Sequence, residues 1–311
     1  MKSIAYFLVY LITNSIIAQV VVSKEDIQIY NDSIVLPGTL KYTESKLPQP
    51  LVIFIQGSGD PDRNGNQPSY NVHADYINQL GDALSENEIA FYSYDKRNVS
   101  PENIKFLKEH YVFSDLATDV SKVIDYFKDD SRFSSITLIG HSQGSLVGML
   151  AINEHISKYV SLAGLGEPVD NAFVRQISNQ NKELGEVARQ HANELKETGD
   201  IKEINLYLVS LFGKGNHDFL IDYFKYDPSV EIKKIQIPTL IINGTKDSQV
   251  LVEDAKRLYE AQPNAEFKIV ENMNHVLKDV IKEEDNMKSY NTPDYPLSET
   301  LVQILTEFIK R

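Results

Sequence analysis

Residues 136–144 read Ile-Thr-Leu-Ile-Gly-His-Ser-Gln-Gly, and they join an apolar, β-branched run to the small and apolar residues that follow up to Ile152. This pattern predicts a strand, a sharp turn and a helix in direct succession. The turn forces its central residue, Ser142, into a strained backbone conformation, and Gly140 and Gly144 allow the two segments to approach closely. Ser142 is therefore expected to be an exposed nucleophile at the edge of a sheet.

The context of the serine motif, more than the motif itself, indicates a catalytic turn that could stabilise negative charge. Gly-x-Ser-x-Gly alone occurs by chance in about one chain in ten of this length, and an ordinary glycine-rich turn is the alternative interpretation. Here the motif lies between a strand-like and a helix-like segment, which is the context that the chemistry requires. The helix N-terminus and the main-chain N–H of Gln143 would then face an oxyanion formed during acyl transfer.

Composition limits the classes of protein to which this chain can belong. Its 311 residues, 42% hydrophobic and 24% charged, predict one large globular domain or a domain with an insertion. A net charge of −13 argues against a protein that binds nucleic acid, and against one that binds a membrane through a cluster of lysines and arginines. The chain has no cysteine, which excludes disulfides and thiolate metal sites. No metal or cofactor motif is present, so the sequence predicts chemistry that needs neither.

The N-terminal residues predict a secretory signal peptide. Met1-Lys2 precedes a short apolar stretch, residues 4–12, and Ala18 offers a cleavage point. The apolar part is shorter than the roughly 20 residues of a membrane span, although an uncleaved anchor is the alternative. The prediction is a targeting segment over residues 1–18, a secreted or periplasmic protein, and no membrane contact beyond that segment.

The rest of the chain alternates strand-like and helix-like segments after an N-terminal hairpin around Asn31-Asp32. Continuous apolar runs predict buried parallel strands, and apolar spacings of three and four predict helices. The predicted strands cover residues 26–30, 33–42, 51–55, 89–94, 136–139, 159–163, 237–242 and 266–270, and the predicted helices cover 72–85, 114–127, 142–154, 251–260 and 296–309. The expected fold is a doubly wound, mostly parallel α/β sheet.

One long stretch interrupts this alternation. Residues 166–230 are polar and helical in pattern and contain no convincing strand. An insertion at this point would cover the carboxyl ends of the strands, where such sheets bind ligands. We therefore predict core segments over residues 19–165 and 236–311 and a helical cap over residues 166–235, with a solvated helical pair that has only a packing role as the alternative.

Two later residues are the predicted partners of Ser142. Asp247 lies in the loop after the strand that ends near Gly244, and His275 lies in the polar loop after the strand that ends at Val270. Both loops are expected at the same edge of the sheet as Ser142, in the chain order of nucleophile, acid and base. His275 would take the proton of Ser142 and return it to the leaving group, while Asp247 would orient the ring.

The loop after the first core strand is expected to complete the site. It contains Gly57, Ser58 and Gly59, and the N–H of Ser58 is the predicted second oxyanion donor beside that of Gln143. Further along, residues 60–65 resemble the start of a twelve-residue calcium-binding loop. Its twelfth position would be Asn71 rather than glutamate, and a strand rather than a helix precedes it, which argues against a calcium site. Asp62 and Arg63 are expected either to form a structural network or to touch substrate.

These residues resemble the α/β-hydrolases, and within them the bacterial serine esterases described as dienelactone-hydrolase-like or serine aminopeptidase-like. The resemblance covers nearly the whole chain after the targeting segment, and besides the serine motif it lies in residues 57–65, 94–97, 224–228 and 243–247. It implies the α/β-hydrolase fold with a helical cap and a cofactor-independent carboxylic ester hydrolase. One departure is Asn98-Val99-Ser100, where such relatives usually carry glycines.

Three functions follow as hypotheses. The favoured one is hydrolysis of small to medium carboxylic esters, with a small molecule as the partner. The second is a peptidase that uses the same residues on amide bonds, with Glu167 or Asp170 binding a substrate amine. The third is a binding module that has the fold without catalysis, for which the sequence would carry a damaged Ser-His-Asp set.

Overall fold

A computed structural model describes residues 21–311. The predicted targeting segment, residues 1–18, lies outside them. Among the described residues, each helix is too short or too polar to cross a lipid bilayer.

A single twisted sheet of eight strands organises the chain. The strands are β1 (Val22–Asn31), β2 (Ile34–Thr43), β3 (Gln49–Ile55), β4 (Ala90–Tyr94), β5 (Phe133–His141), β6 (Ile156–Leu162), β7 (Thr239–Gly244) and β8 (Glu266–Val270). Their order in the sheet is β1-β2-β4-β3-β5-β6-β7-β8. Strand β2 is antiparallel to both of its neighbours, β1 and β4, and all the other neighbouring strands are parallel to each other.

Helices lie between the strands, together with several short 3₁₀ turns. They are α1 (Tyr76–Glu86), α2 (Ile104–Leu107), α3 (Asp115–Phe127), α4 (Gln143–Ala151), α5 (Val169–Gln180), α6 (Lys182–Thr198), α7 (Val209–Phe212), α8 (His217–Tyr223), α9 (Pro228–Glu231), α10 (Val252–Ala261), α11 (Glu283–Asn286) and α12 (Glu299–Lys310).

The two faces of the sheet pack into two separate apolar cores. Alternate residues of β3 show this division: Leu51 and Ile53 join the core that holds α3, α4 and α10, whereas Val52 and Phe54 join the core that holds α1 and α12. Side chains of successive strand residues point to opposite faces, so a strand that is apolar throughout must be covered on both sides. The predicted doubly wound α/β sheet is confirmed.

The helix boundaries differ from the predicted ones where a local contact competes with the apolar pattern. The helix predicted from Val72 begins at Tyr76. Val72 instead pairs with Gln67 through two main-chain hydrogen bonds, and Asp75 has a left-handed φ of 51°. The helix predicted from Pro296 begins at Glu299, because the side chain of Ser298 caps it.

The segment between β6 and β7 is helical, from α5 to α9, and contains no strand among the described residues. It has an apolar core of its own, in which residues of α6, α7 and α8 pack together, including Ala192, Phe212 and Leu220. Phe173 and Phe224 contact both this core and the larger core beneath. The segment is therefore a packed unit attached to the sheet through aromatic contacts.

Candidate active site

Ser142 occupies the junction between β5 and α4. Its backbone has φ 55° and ψ −122°, a conformation that non-glycine residues rarely adopt. The Ser142 N–H donates to the carbonyl of Leu162, 3.0 Å away on the neighbouring strand β6, and the Ser142 carbonyl accepts from Ser145. The strained turn predicted from the sequence is present, and backbone hydrogen bonds on both sides hold it.

The two glycines of the motif are required by close contacts between main chains. A Cβ built on Gly140 would lie 2.3 Å from the carbonyl oxygen of Gly144. One built on Gly144 would lie 2.2 Å from the carbonyl oxygen of Ile55 in β3. Any side chain at either position would therefore push α4 away from the sheet and move Ser142.

Asp247 lies in the loop after β7, and both of its carboxylate oxygens are engaged. Oδ1 accepts from the main-chain N–H groups of Gln249 and Val250, each at 2.9 Å. Oδ2 is 2.8 Å from Nδ1 of His275. The side chain is almost fully buried, at 1% exposure. These contacts fix the carboxylate with one oxygen directed at the imidazole.

His275 follows β8, and its ring is oriented by Asp247. Because a carboxylate accepts, Nδ1 of His275 donates to it, and Nε2 is left as the proton acceptor. The loop is held by Asn274, whose side chain donates to Asn286 Oδ1 and to Ser289 Oγ at 3.1 and 2.8 Å. The structure thus joins two of the three predicted catalytic residues directly.

Ser142 and His275 border one cavity of about 460 Å³ beside the carboxyl ends of the strands. Gln143 and Ser58 border it too, and the N–H of Gln143 is among those that an α-helix leaves unpaired at its N-terminus. The loop that carries Ser58 lies against Ser142, since a Cβ built on Gly57 would be 3.1 Å from the Cβ of Ser142. The predicted oxyanion donors therefore belong to segments that meet at the serine.

The wall of this cavity carries no acidic or basic side chain other than two histidines, within the part of the chain that the structure describes. One side of it comes from the loops around α1 and α11, and the other from the first turns of α5. The aromatic and aliphatic members of the lining are Tyr70, Val72, Tyr76, Leu165, Val169, Ala172, Phe173, Val250, Val276, Met287 and Tyr290. Such a lining suits an uncharged, apolar group.

The loop over residues 60–65 forms a structural network. Arg63 makes three hydrogen bonds to the carboxylate of Asp95, two from its guanidinium group and one from its main-chain N–H, and it also donates to Thr39. Asp62 accepts from the main-chain N–H groups of Asn64 and Asn66. Neither Asp62 nor Arg63 borders the cavity. Of the two roles expected for these residues, the contacts favour the structural one.

Comparisons with known proteins agree with this architecture. Residues 68–197, less than half of the chain, match the family model described as serine aminopeptidase, S33. Esterase EstD of Thermotoga maritima is 25% identical over 253 residues, which are 78% of this chain and 58% of that protein. The match thus spans less than two thirds of that relative's length.

Solved structures extend the likeness to most of the chain. Est1E from Butyrivibrio proteoclasticus superimposes with a TM-score of 0.55 at 16% identity, over 92% of this chain and 99% of that one. The Pyrococcus furiosus esterase Pf2001 superimposes with a TM-score of 0.58 at 17% identity, over 93% and 91%. The chain has the α/β-hydrolase fold. At identities this low the superpositions establish the fold alone.

His141 is a residue to which sequence reasoning assigned no contact beyond the turn. Its Nε2 donates to the main-chain carbonyl of His275 at 2.9 Å, and its ring lies 4.7 Å from that of His275, centroid to centroid. Burial, with a smaller effect from His275, lowers the pKa of His141 well below its usual value, so the ring is neutral. His141 thereby ties the serine turn to the histidine loop.

Two acidic residues predicted to bind an amine lie elsewhere. Glu167 pairs with Arg175 and Arg257 at 2.8 and 2.9 Å. Asp170 is buried and pairs with two cations of α6, and neither carboxylate borders the cavity. Their charges are already compensated within the protein, so they are not available to bind a substrate amine.

Proposed function

We propose that this protein is a serine carboxylic ester hydrolase that acts on uncharged esters of small to medium acyl groups. The observation that carries the proposal is the strained Ser142 at the wall of a cavity shared with His275, whose ring is hydrogen-bonded to the buried Asp247. The name of the relative from Thermotoga maritima, an esterase, supports the same reaction class.

The proposed reaction begins with proton transfer from Ser142 Oγ to His275 Nε2 as the oxygen attacks the ester carbonyl carbon. The positive charge formed on the imidazole is stabilised by Asp247. His275 then donates the proton to the oxygen of the departing alcohol, which leaves an acyl group on Ser142. Water, activated by the same histidine, attacks the acyl carbon and releases the carboxylic acid.

The negative oxygen of each tetrahedral intermediate would be held by the main-chain N–H groups of Ser58 and Gln143. Loss of one such donor typically costs about 3 kcal/mol in the barrier. The helix α4 begins at Gln143, so its N-terminal partial positive charge would add to the stabilisation.

The uncharged cavity favours ester over peptide substrates with a free amino terminus. A substrate ammonium needs a carboxylate, and none borders the cavity among residues 21–311. The half-buried Glu167 and the buried Asp170, which could have served, are each paired with two cations. From the composition of residues 1–18 we also infer that the protein acts after export.

Hydrolysis of p-nitrophenyl acetate, butyrate and octanoate tests the proposal, with an aminoacyl p-nitroanilide as the amide substrate. Replacing the nucleophile in Ser142→Ala should lower kcat by about 10⁵-fold or more. A fluorophosphonate probe should label the wild-type protein and leave this variant unlabelled. The matched control is Ser210→Ala, an exposed serine of α7, which should behave as the wild type.

Equal ester turnover by wild type and Ser142→Ala would rule out the serine mechanism. Absence of turnover and of labelling in the wild type would favour a binding module with this fold. Release of the anilide at a rate comparable with the esters would favour the peptidase instead.

A further inference from the structure

Lys96, just beyond the end of β4, is a buried cation without an assigned role. The residue is 4% exposed. Its ammonium group lies 2.9 Å from the carbonyl oxygen of Gly57, 3.2 Å from that of Gly59 and 3.0 Å from Oε1 of Gln143. An ammonium has three hydrogens, so these three uncharged oxygens use all of them.

The bond to Gly57 determines the direction of the neighbouring N–H. The carbonyl of Gly57 and the N–H of Ser58 belong to the same planar peptide group, and in a trans peptide they point in opposite directions. Because Lys96 draws the carbonyl oxygen into the protein, the Ser58 N–H points to the other side. Ser58 and Ser142 border the same cavity, so an N–H turned away from Lys96 is available to an oxyanion there.

The loop needs such a restraint because of its composition. Gly57 and Gly59 flank Ser58, and Gly59 has a φ of +82°. Glycine gives the backbone access to several conformations of similar energy. Rotation of the Gly57–Ser58 peptide by half a turn would direct the carbonyl oxygen of Gly57, instead of the N–H of Ser58, toward Ser142. The oxyanion would then face the negative end of the carbonyl dipole.

Lys96 also contacts the segment that supplies the other donor. Its bond to Gln143 Oε1 reaches the first residue of α4, which also borders the cavity. Keeping an ammonium in this place is costly, since burial lowers the pKa of Lys96 to about 8, partly offset by Asp60 and Asp119. A leucine or methionine would fill the same volume without that cost.

We propose that Lys96 is a positioning residue that keeps the oxyanion hole formed before substrate binds, by holding the Gly57–Ser58 peptide and Gln143 in their catalytic orientations. This inference rests on the proposed esterase function. It assigns Lys96 an effect on the transition state and none on substrate binding.

The variant Lys96→Met removes the ammonium and keeps an unbranched apolar side chain that is one atom shorter. We expect kcat to fall by about 10²-fold, the effect of losing one oxyanion donor, with KM within about threefold of the wild-type value. Phenylboronic acid forms a tetrahedral adduct with the serine, so its Ki should rise by the factor by which kcat/KM falls.

Lys41→Met is the matched control. Lys41 is also a buried lysine, at 3% exposure, and its ammonium contacts the main-chain carbonyl and the side chain of Asn78 and the carboxylate of Asp82. It lies on β2, away from the cavity. This variant should change thermal stability without changing kcat or the Ki of phenylboronic acid.

A chemical rescue covers the case in which Lys96→Met does not fold. The chain has no cysteine, so Lys96→Cys introduces a single thiol that can be alkylated in urea before refolding. Alkylation with 2-bromoethylamine restores an ammonium at the original distance, and alkylation with 1-bromopropane places a methyl group there. The first product should recover most of kcat and the second should not.

The outcomes separate the two proposals. If the wild type hydrolyses esters and Ser142→Ala does not, but Lys96→Met keeps the wild-type kcat, the role of Lys96 is refuted and the esterase stands. Equal activity of the two alkylated products refutes it as well. If the wild type hydrolyses no ester, the esterase proposal itself fails.

Discussion

At the scale of single residues, hydrogen bonds to both carboxylate oxygens fix the orientation of Asp247 in the proposed site. Two main-chain donors hold Oδ1, which leaves Oδ2 directed at His275. The proton on Nδ1 keeps Nε2 free to accept from Ser142. The carboxylate thus controls which nitrogen of the imidazole carries the proton.

Asp247→Asn tests this control. The donors from Gln249 and Val250 would retain the amide oxygen in the place of Oδ1, so the NH₂ group would face His275 Nδ1. The ring would then carry its proton on Nε2, the tautomer that cannot accept from Ser142. We expect kcat on p-nitrophenyl butyrate to fall by about 10³ to 10⁴-fold with little change in KM.

Asp227→Asn serves as the control for the same exchange. Asp227 caps α9 by accepting from the N–H of Ser229, and asparagine caps helices as well as aspartate does. This variant should retain wild-type kinetics. A kcat for Asp247→Asn within threefold of the wild type would show that the carboxylate does not orient the base.

At the scale of secondary-structure elements, the site depends on how closely α4 crosses the sheet. Every residue of α4 from Gln143 to Met149 is buried, and Leu146 and Val147 join the core on that face. The N-terminus of the helix can come this near to β3 only because Gly144 has no side chain. The close packing of the helix and the position of Ser142 therefore depend on the same contact.

Gly144→Ala should destabilise the protein severely. Its Cβ would meet the main-chain oxygen of Ile55 at 2.2 Å, and a main-chain atom in a central strand cannot move aside. We expect the free energy of unfolding, measured by urea titration, to fall by about 3 kcal/mol or more, with loss of esterase activity.

Gly215→Ala is the corresponding control in the segment between β6 and β7. Within residues 21–311, and apart from the adjoining chain itself, no atom lies within 4 Å of a Cβ built on Gly215. Its free energy of unfolding should lie within about 0.5 kcal/mol of the wild-type value. If Gly144→Ala were as stable as this control, α4 would not be held against β3 as closely as the structure has it.

At the scale of the whole molecule, the protein combines a strongly acidic surface with cations in its interior. The net charge is −13, yet the ammonium groups of Lys96 and Lys278 are buried. Burial lowers the pKa of each to about 8. Lys278 also joins the histidine loop to α1 through the side chain of Gln79, and to the C-terminal segment through the carbonyl of Tyr295.

These shifts predict that stability depends on pH on the alkaline side. Between about pH 8 and the usual lysine pKa near 10.4, the unfolded chain keeps a proton that the folded protein has released. In this window the unfolded state binds more protons than the folded state. The free energy of unfolding that Lys96 contributes therefore increases as the pH rises from about 8 to about 10.4, and it decreases as the pH is lowered through the same window.

The measurement is the free energy of unfolding of wild type and Lys96→Met at pH 7 and pH 10. The free energy of unfolding of the wild type minus that of Lys96→Met should be larger at pH 10 than at pH 7, by at most about 3 kcal/mol. Lys278→Met should show a change of the same sign. A difference that stays constant from pH 7 to pH 10 would mean that Lys96 titrates as it does in water.

Much of the architecture could be predicted from the sequence because it is encoded locally. Apolar runs of five residues covered on both faces, such as residues 51–55, indicate buried parallel strands, and Glu266–Val270 was predicted to the residue. The turn at Ser142 was predictable because a single short motif carries its glycines. The doubly wound fold follows from the alternation of these two patterns.

Which distant groups meet depends on how the chain folds in three dimensions. The contacts of Lys96 with Gly57 and of His141 with the carbonyl of His275 join segments far apart in the chain, and no local pattern signals them. The start of α1 at Tyr76 depends on the pairing of Val72 with Gln67 rather than on apolar spacing. Periodicity reports which face of an element is buried, whereas hydrogen bonds between loops depend on where the folded sheet brings the loops together.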